Sequence, residues 1–447
     1  MSIRNGLVFA MEDDNLVEGG DQSMVPETAA AAEAGASQVA EQSGEVEELQ
    51  AAVEDAVDGA ETLGQVEEVL EKTSESGDGV DETAAQVAEI AVESIKNRLG
   101  IIGGKAFPAM ESFGSKNTRL SATKLALENV RETITRIWEA IKQAVIRMWE
   151  KIKSFFLGIA KNTAALTKHL EGLLDRAKKL PDDAKPEKEK LGSTSLAKAF
   201  SVKKKADVKT ADILIGNAKL LLIAAADLTK ESNNFSNFIQ TNSAKLAGGG
   251  DYETQRKALN SGVTQALAKL GEVATSKIGG QAGTDKESGI SYYGPFVGTR
   301  VVAYKVEQKK IAGDNFTNVS VNVETYDKIE ATEITSLKRD EIYTILKSGI
   351  DLLDELTKFE KNQASMNKIS DTLRKSTENV LSEIKKMSED EKDQTKTRAL
   401  KTIASDVNDV NGILASLGSS FPATVFATAK AAGDYASASI ANMKVSK

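Results

Sequence analysis

Apolar residues recur at alternating steps of three and four along most of this chain. From Val46, the positions Val46, Leu49, Val53, Ala56, Ala60, Leu63 and Leu70 form a narrow apolar stripe with acids between them. That spacing predicts an amphipathic helix, with Gly59 and Gly64 as points of interruption. Such a helix is marginal in water without a packing partner. SESGDGVDET predicts a loop, and Asp81 to Leu99 a second helix. Residues 1–44 hold few large apolar side chains and an Ala/Glu run, a pattern that predicts disorder. GIIGGKAFPAMESFGSKN, residues 100–117, concentrates glycines and a proline and predicts a linker whose backbone opens locally.

The strongest periodicity lies beyond it, in NVRETITRIWEAIKQAVIRMWEKIKSFFLGIAKN. Val130, Ile134, Ile137, Trp138, Ile141, Val145, Met148, Trp149, Ile152, Phe156 and Ile159 repeat at three and four. Arg131, Arg136, Lys142, Lys151 and Lys153 fill much of the remaining surface. Cations beside Trp and Phe also suit a membrane interface, but a core helix in a bundle fits the need of the neighbouring helices for partners. The pattern continues past His169 to Leu180, where LPDDAKPEKEK stops it with two prolines. Lys209 to Ala247 and Tyr252 to Ile278 predict two more helices around a GGG turn, and GGQAGTDKESG a flexible loop.

The period then changes to two. TRVVAYKVEQ and NFTNVSVNVETY alternate and are rich in β-branched residues, which predicts a hairpin with SYYGPFVG as a third strand. From Ser336 helices resume, broken near SEDEKD and at LGSSFP. The expected fold is mainly α. Long helices form a bundle-like body with a small antiparallel β-hairpin insertion, behind a largely disordered N-terminal region carrying amphipathic acidic helices. The divisions are 1–111, 112–290, 291–327 and 328–447.

Composition agrees with long helices: aromatics are 5% and prolines six of 447 residues. There is no cysteine, which excludes disulfides and thiolate metal sites. The first residues lack a secretory pattern, and the apolar run Ala211–Thr229 is interrupted by Asp212, Asn217 and Lys219, so a soluble chain is expected.

Charge changes the picture more. The formal net charge of −9 conceals a division: residues 1–111 hold 25 Asp/Glu against 5 Lys/Arg, and residues 112–447 hold 41 against 52. Acidic tails also serve simply as solubilisers. The basic excess after residue 111 suits phosphate contact, with Lys203, Lys204 and Lys205 the densest short run, though bases and acids are well mixed there.

Candidate catalytic chemistry is sparse. His169 is the sole histidine, so multi-histidine metal sites are excluded, and its place between Lys168 and Leu170 predicts a surface residue. GIIGGK lacks phosphate-loop spacing and has Ala106 where Ser or Thr is required. Carboxylate pairs such as Glu389 and Asp390 fit a solvated helix face. Nothing argues for an enzyme, and no cofactor is implied.

One tripeptide is unevenly distributed. Ala/Ser/Gly-x-Glu ends at Glu12, Glu33, Glu45, Glu54, Glu61, Glu93 and Glu111, and in the much longer remainder only at Glu128, Glu333 and Glu378. A protease can read it, the small side chain fitting a shallow pocket and the glutamate supplying a charged anchor. Ala109-Met110-Glu111 falls in the glycine-rich linker.

With the start MSIRNGLVFAMEDDN, the acidic Ala/Glu region, the repeated small-x-Glu sites and the abrupt change to a basic helical body, the chain resembles the internal head proteins of phiKZ-like giant bacteriophages. The resemblance implies synthesis in the host bacterial cytoplasm and a final place inside the phage head. It implies a propeptide that directs the protein into the prohead and is removed by the prohead protease after the small-x-Glu motif. It also implies packaging with the genome and, in some members, ejection with it. The motif is carried onto Ala109, Met110 and Glu111, with the new chain beginning at Ser112, and Ala91, Val92 and Glu93 are the competing site. The implied partners are the prohead protease, phage genomic DNA and other inner-head or capsid proteins. Two other readings stand beside this: a helical membrane-active or pore-forming protein, and a scaffold absent from mature particles.

Overall fold

The computed structural model describes residues 26–101, 104–202, 205–242, 254–255, 257–267, 290–311, 314–325, 331–360, 363–387 and 394–444. Its first element is α1, Pro26–Glu75, a helix of 50 residues. At 1.5 Å per residue it is about 75 Å long. The expected disorder over residues 1–44 therefore stops short: residues 26–44 belong to α1, while 1–25 lie outside the described residues.

The reason lies in the seam that α1 buries. Ala32, Ala36, Val39, Ser43, Val46, Gln50, Val53, Val57, Ala60, Leu63, Glu67 and Leu70 are all buried. They follow one another at steps of three or four, the repeat of a coiled-coil seam. Three of its first four members, Ala32, Ala36 and Ser43, are small residues that give little hydrophobic signal even though they are enclosed. Gly59 does not interrupt the helix. A Cβ there would stand 2.9 Å from Leu99 Cδ1, so this glycine admits the next helix.

That helix is α2, Glu82–Arg98, started by Asp81, whose carboxylate accepts from Ala84 N. The short α3, Glu111–Gly114, precedes α4, Lys116–Lys178, which at 63 residues is the longest element described. α1 packs chiefly along α4. Contacts fix the direction: Asn162 Nδ2 donates to Gly35 O, Lys151 pairs with Glu45, Arg131 with Glu67 and Glu71, and Val80 N donates to Thr123 Oγ1. Numbers rise along α1 as they fall along α4, so the two form an antiparallel pair in register over about 60 Å. On α4 both tryptophans are core residues, Trp138 3% and Trp149 5% exposed, as the bundle reading expects.

After α4 come β1 (Lys185–Pro186), β2 (Lys190–Leu191), α5 (Thr194–Ala199), β3 (Ser201–Val202) and β4 (Lys205–Ala206), then α6, Val208–Asn242. A helical stretch at 257–267 follows. The period-two segment forms β5 (Ile290–Phe296), β6 (Arg300–Ile311) and β7 (Asp314–Thr325), an antiparallel sheet in the order β5-β6-β7. The predicted third strand is therefore present. Phe296, Val302, Tyr304 and Val321 turn one face of the sheet into the core, against α6 and the later α9.

The remaining elements are β8 (Ile334–Thr335), α7 (Arg339–Glu360), α8 (Gln363–Met387), α9 (Gln394–Gly418), α10 (Ser420–Ala441) and β9 (Met443–Lys444). α9 and α10 break at Ser419, within the LGSSFP expected to interrupt them. The segment Asp406–Ala441 is long and apolar enough to cross a membrane, but 89% of its most apolar window is buried inside the bundle. A helix enclosed on all sides acquires that composition in a water-soluble core as well. β1 pairs with β9 and β2 with β8, so the connection that follows α4 is clasped both to the strand before α7 and to the strand after α10.

Candidate processing site

Residues 104–119 do not form the loosely held linker expected from their glycines and proline. Phe107 and Phe113 are buried, 2% and 0% exposed, with ring centroids 6.2 Å apart. Between them the chain makes a tight turn: Ser112 N donates to Ala109 O and Phe113 N to Met110 O, both at 2.9 Å. Side chains fasten the flanks. Lys96 Nζ donates to Gly104 O, Asn129 Nδ2 to Ala106 O, Thr118 Oγ1 to Ser112 O and Arg119 Nε to Phe113 O. Two apolar anchors within seven residues outweigh the glycines, so the segment is an ordered cap at one end of the α1–α4 pair.

Within this cap, Ala109 and Glu111 are exposed, and Met110 and Ser112 are half-buried. The tripeptide can be reached, but a protease cleft takes extended chain, and this turn must open first. Ala91, Val92 and Glu93 lie inside α2 instead, where Val92 is fully buried. Glu93 there pairs with the buried Lys96 at 2.8 Å. The motifs ending at Glu33, Glu45, Glu54 and Glu61 lie in α1, those ending at Glu128 and Glu378 in α4 and α8, and Glu12 is outside the described residues. Ala331, Thr332 and Glu333 lie wholly outside the helices, with Glu333 bound to Lys190 at 2.9 Å. Spacing alone did not single this motif out.

Lys203 and Lys204 are outside the described residues, and Lys205 stands in β4 beside β3. His169 departs from its expected surface place. It is half-buried, with Nδ1 enclosed and without a hydrogen-bond partner. Burial pushes its pKa below the ordinary value, Asp434 opposes that, and Lys430 and Arg176 add to it.

The acids of α1 meet cations from the rest of the chain. Arg131 forks onto Glu67 (Nε to Oε1, 3.0 Å) and Glu71 (Nη2 to Oε1, 2.6 Å). Lys430 on α10 is bound by Glu33 at 2.7 Å and Asp434 at 2.9 Å. Its burial works against the charge, but these carboxylates outweigh it and hold the ammonium above its ordinary pKa. Glu47 accepts from Ser420 Oγ at 2.9 Å. Burial raises its pKa, while Ser420, Arg300 and Ser43 pull the other way. Gln50 Nε2 donates to Asn322 Oδ1 of β7 at 2.7 Å. α1 thus lies in a groove walled by α4 on one side and by α9, α10 and β7 on the other. Apart from the Lys430–Asp434 and Ser43–Glu47 pairs, which lie four apart on one helix, these contacts do not follow from sequence spacing, because their partners are separated by tens to hundreds of residues.

Among the described residues, no group of three His, Cys, Asp or Glu side chains is arranged to hold a metal ion. No curated protein and no solved structure matches this chain. A family model describing phiKZ-like phage internal head proteins does match it, over residues 14–438. That span takes in the acidic helices, the turn at Glu111, the sheet and nearly all of the final helix, and the chain belongs to the phiKZ-like phage internal head proteins.

Proposed function

We propose that this internal head protein is made with an acidic leader, residues 1–111, that the prohead protease severs after Glu111, and that residues 112–447 are packaged with the phage DNA and leave the head with it. The observation that carries the cut position is the exposure of Ala109 and Glu111 at the turn that opens the four-residue α3, against the setting of Ala91, Val92 and Glu93 deep inside the 17-residue α2. The charge division supports a role for the leader before packaging. Its carboxylates occupy Arg131, Lys151 and Lys430, cations that would otherwise be available to phosphates.

Peptide mapping of purified virions tests this directly. A fragment beginning at Ser112 is expected. Uncut chain spanning residues 105–120 in mature heads overturns the reading, and a fragment beginning at Ser94 moves the cut to Glu93. Absence of the protein from mature heads identifies a scaffold instead.

A further inference from the structure

We infer that severing the chain after Glu111 does not by itself release the leader: the cut protein is a two-chain complex in which α1 and α2 stay seated in the groove of the body. The inference deepens the processing proposal and rests on it for its occurrence in the phage. Its physical content concerns only the interface.

Three observations carry it. The first is the place of the bond. Glu111 lies in the cap at one end of the α1–α4 pair, outside the seam, so breaking its peptide bond removes none of the buried contacts of α1. The second is the chemistry of the seam, where Val39, Val46, Val53, Val57, Leu63 and Leu70 are each no more than 5% exposed. Apolar burial of this kind is insensitive to which peptide bond joins the helices. The third is that α1 is held from two sides. Asn162 donates to the Gly35 carbonyl and to Gln38 across α4, while Ser420, Asn322 and Lys430 hold Glu47, Gln50 and Glu33 from the opposite wall. Scission changes a tethered helix into a bound one, and the loss is only that of the tether's effective concentration.

A consequence concerns the other small-x-Glu motifs of the leader. Ala32, Ser43, Val53 and Ala60 are buried members of four of them, so these sites are closed for as long as α1 remains seated. Trimming at these four sites therefore follows displacement of α1.

The test uses the full chain with a recognition sequence for a site-specific protease inserted between Ala109 and Ser112 and a different tag at each terminus. After cutting, gel filtration in about 1 M NaCl, where screening reaches about 3 Å, removes surface electrostatics but not apolar contacts. The two fragments are expected in one peak with the helical circular dichroism of the uncut chain. Leader eluting alone, with the body monomeric or aggregated, overturns the inference. The double substitution Val46→Asp with Leu63→Asp provides the contrast: uncut, it stays joined by the tether, and after cutting its leader should separate. Co-elution of that variant as well would also overturn the seam as the cause. Because the inserted site is cut by an added protease, the outcome is independent of whether virions contain a chain beginning at Ser112.

Discussion

His169 shows how far one side chain's environment departs from its neighbours in sequence. Lys168 and Leu170 suggest a solvated position, but the ring is half-buried within charge range of Asp434 and Lys430 on α10, and its Nδ1 is left without a partner. Its pKa is depressed in the folded chain, so the sign of its contribution is fixed. Above the unfolded value of 6.5, neither state holds the proton and its contribution to stability is fully present. As pH falls below that value, the unfolded state binds a proton that the folded state resists, and stability declines until the folded pKa is passed. His169→Gln should flatten this part of the profile relative to wild type, measured by urea unfolding from pH 7 down to 5. Equal slopes for the two proteins would show that Asp434 compensates fully for the burial. The same scale explains why α1 was only half legible. Val46, Val53, Leu63 and Leu70 announce a helix, whereas Ala32, Ala36 and Ser43 occupy equivalent seam positions without announcing anything. Large buried side chains at the same level of the pair, among them Phe155, Phe156, Ile159 and Leu166, come from α4. A residue is recognised as core by its own hydrophobicity, but it is enclosed by its partner's.

At the scale of elements, periodicity was the reliable guide and composition the misleading one. The tryptophan helix, the three-stranded sheet and the break at Ser419 all follow from local pattern. The cap around Glu111 does not, because what orders it is a contact between Phe107 and Phe113, a pair flanked by glycines on both sides. This contact sets how readily the candidate cut site opens. Truncating a buried phenylalanine usually costs about 3–5 kcal/mol, of which only the part that resists local opening affects the rate here. Phe113→Ala should therefore speed cleavage after Glu111 by a soluble glutamate-specific protease by about tenfold or more. The cleavage rate within α1, at Glu54, should be unchanged. Mass spectrometry of timed digests reads both rates in one sample, and equal rates at Glu111 in the two proteins would show that the ring pair does not hold the turn.

For the whole molecule, the charge division and the fold are two aspects of one arrangement. A −20 segment and a +11 segment would attract each other even without a specific fit. Here the attraction is resolved into particular pairs, the Arg131 fork and the Lys430 bridge among them, laid over an apolar seam. With residues 1–111 seated on the rest, the formal net charge is −9, which is poorly suited to binding a polyanion, and the proposed scission would not change it. The basic character is a property of the separated body. Sequence alone supplied the charge totals, while the pairing that cancels them required the long-range register of α1 on α4.

That antiparallel register also has a mechanical consequence. Residue 26 of α1 lies at the same end of the pair as residue 178 of α4, and residue 116 lies at the opposite end. A load applied between 26 and 178 peels the helices apart one turn at a time, so each instant opposes only a few side chains. A load between 26 and 116 pulls along the seam and must break it all at once. Single-molecule stretching should find low-force stepwise extension in the first geometry and abrupt high-force rupture in the second. A protein drawn by its N-terminal end through a narrow opening, with the far end of α4 held behind, is loaded in the first way and yields its longest interface with the least resistance.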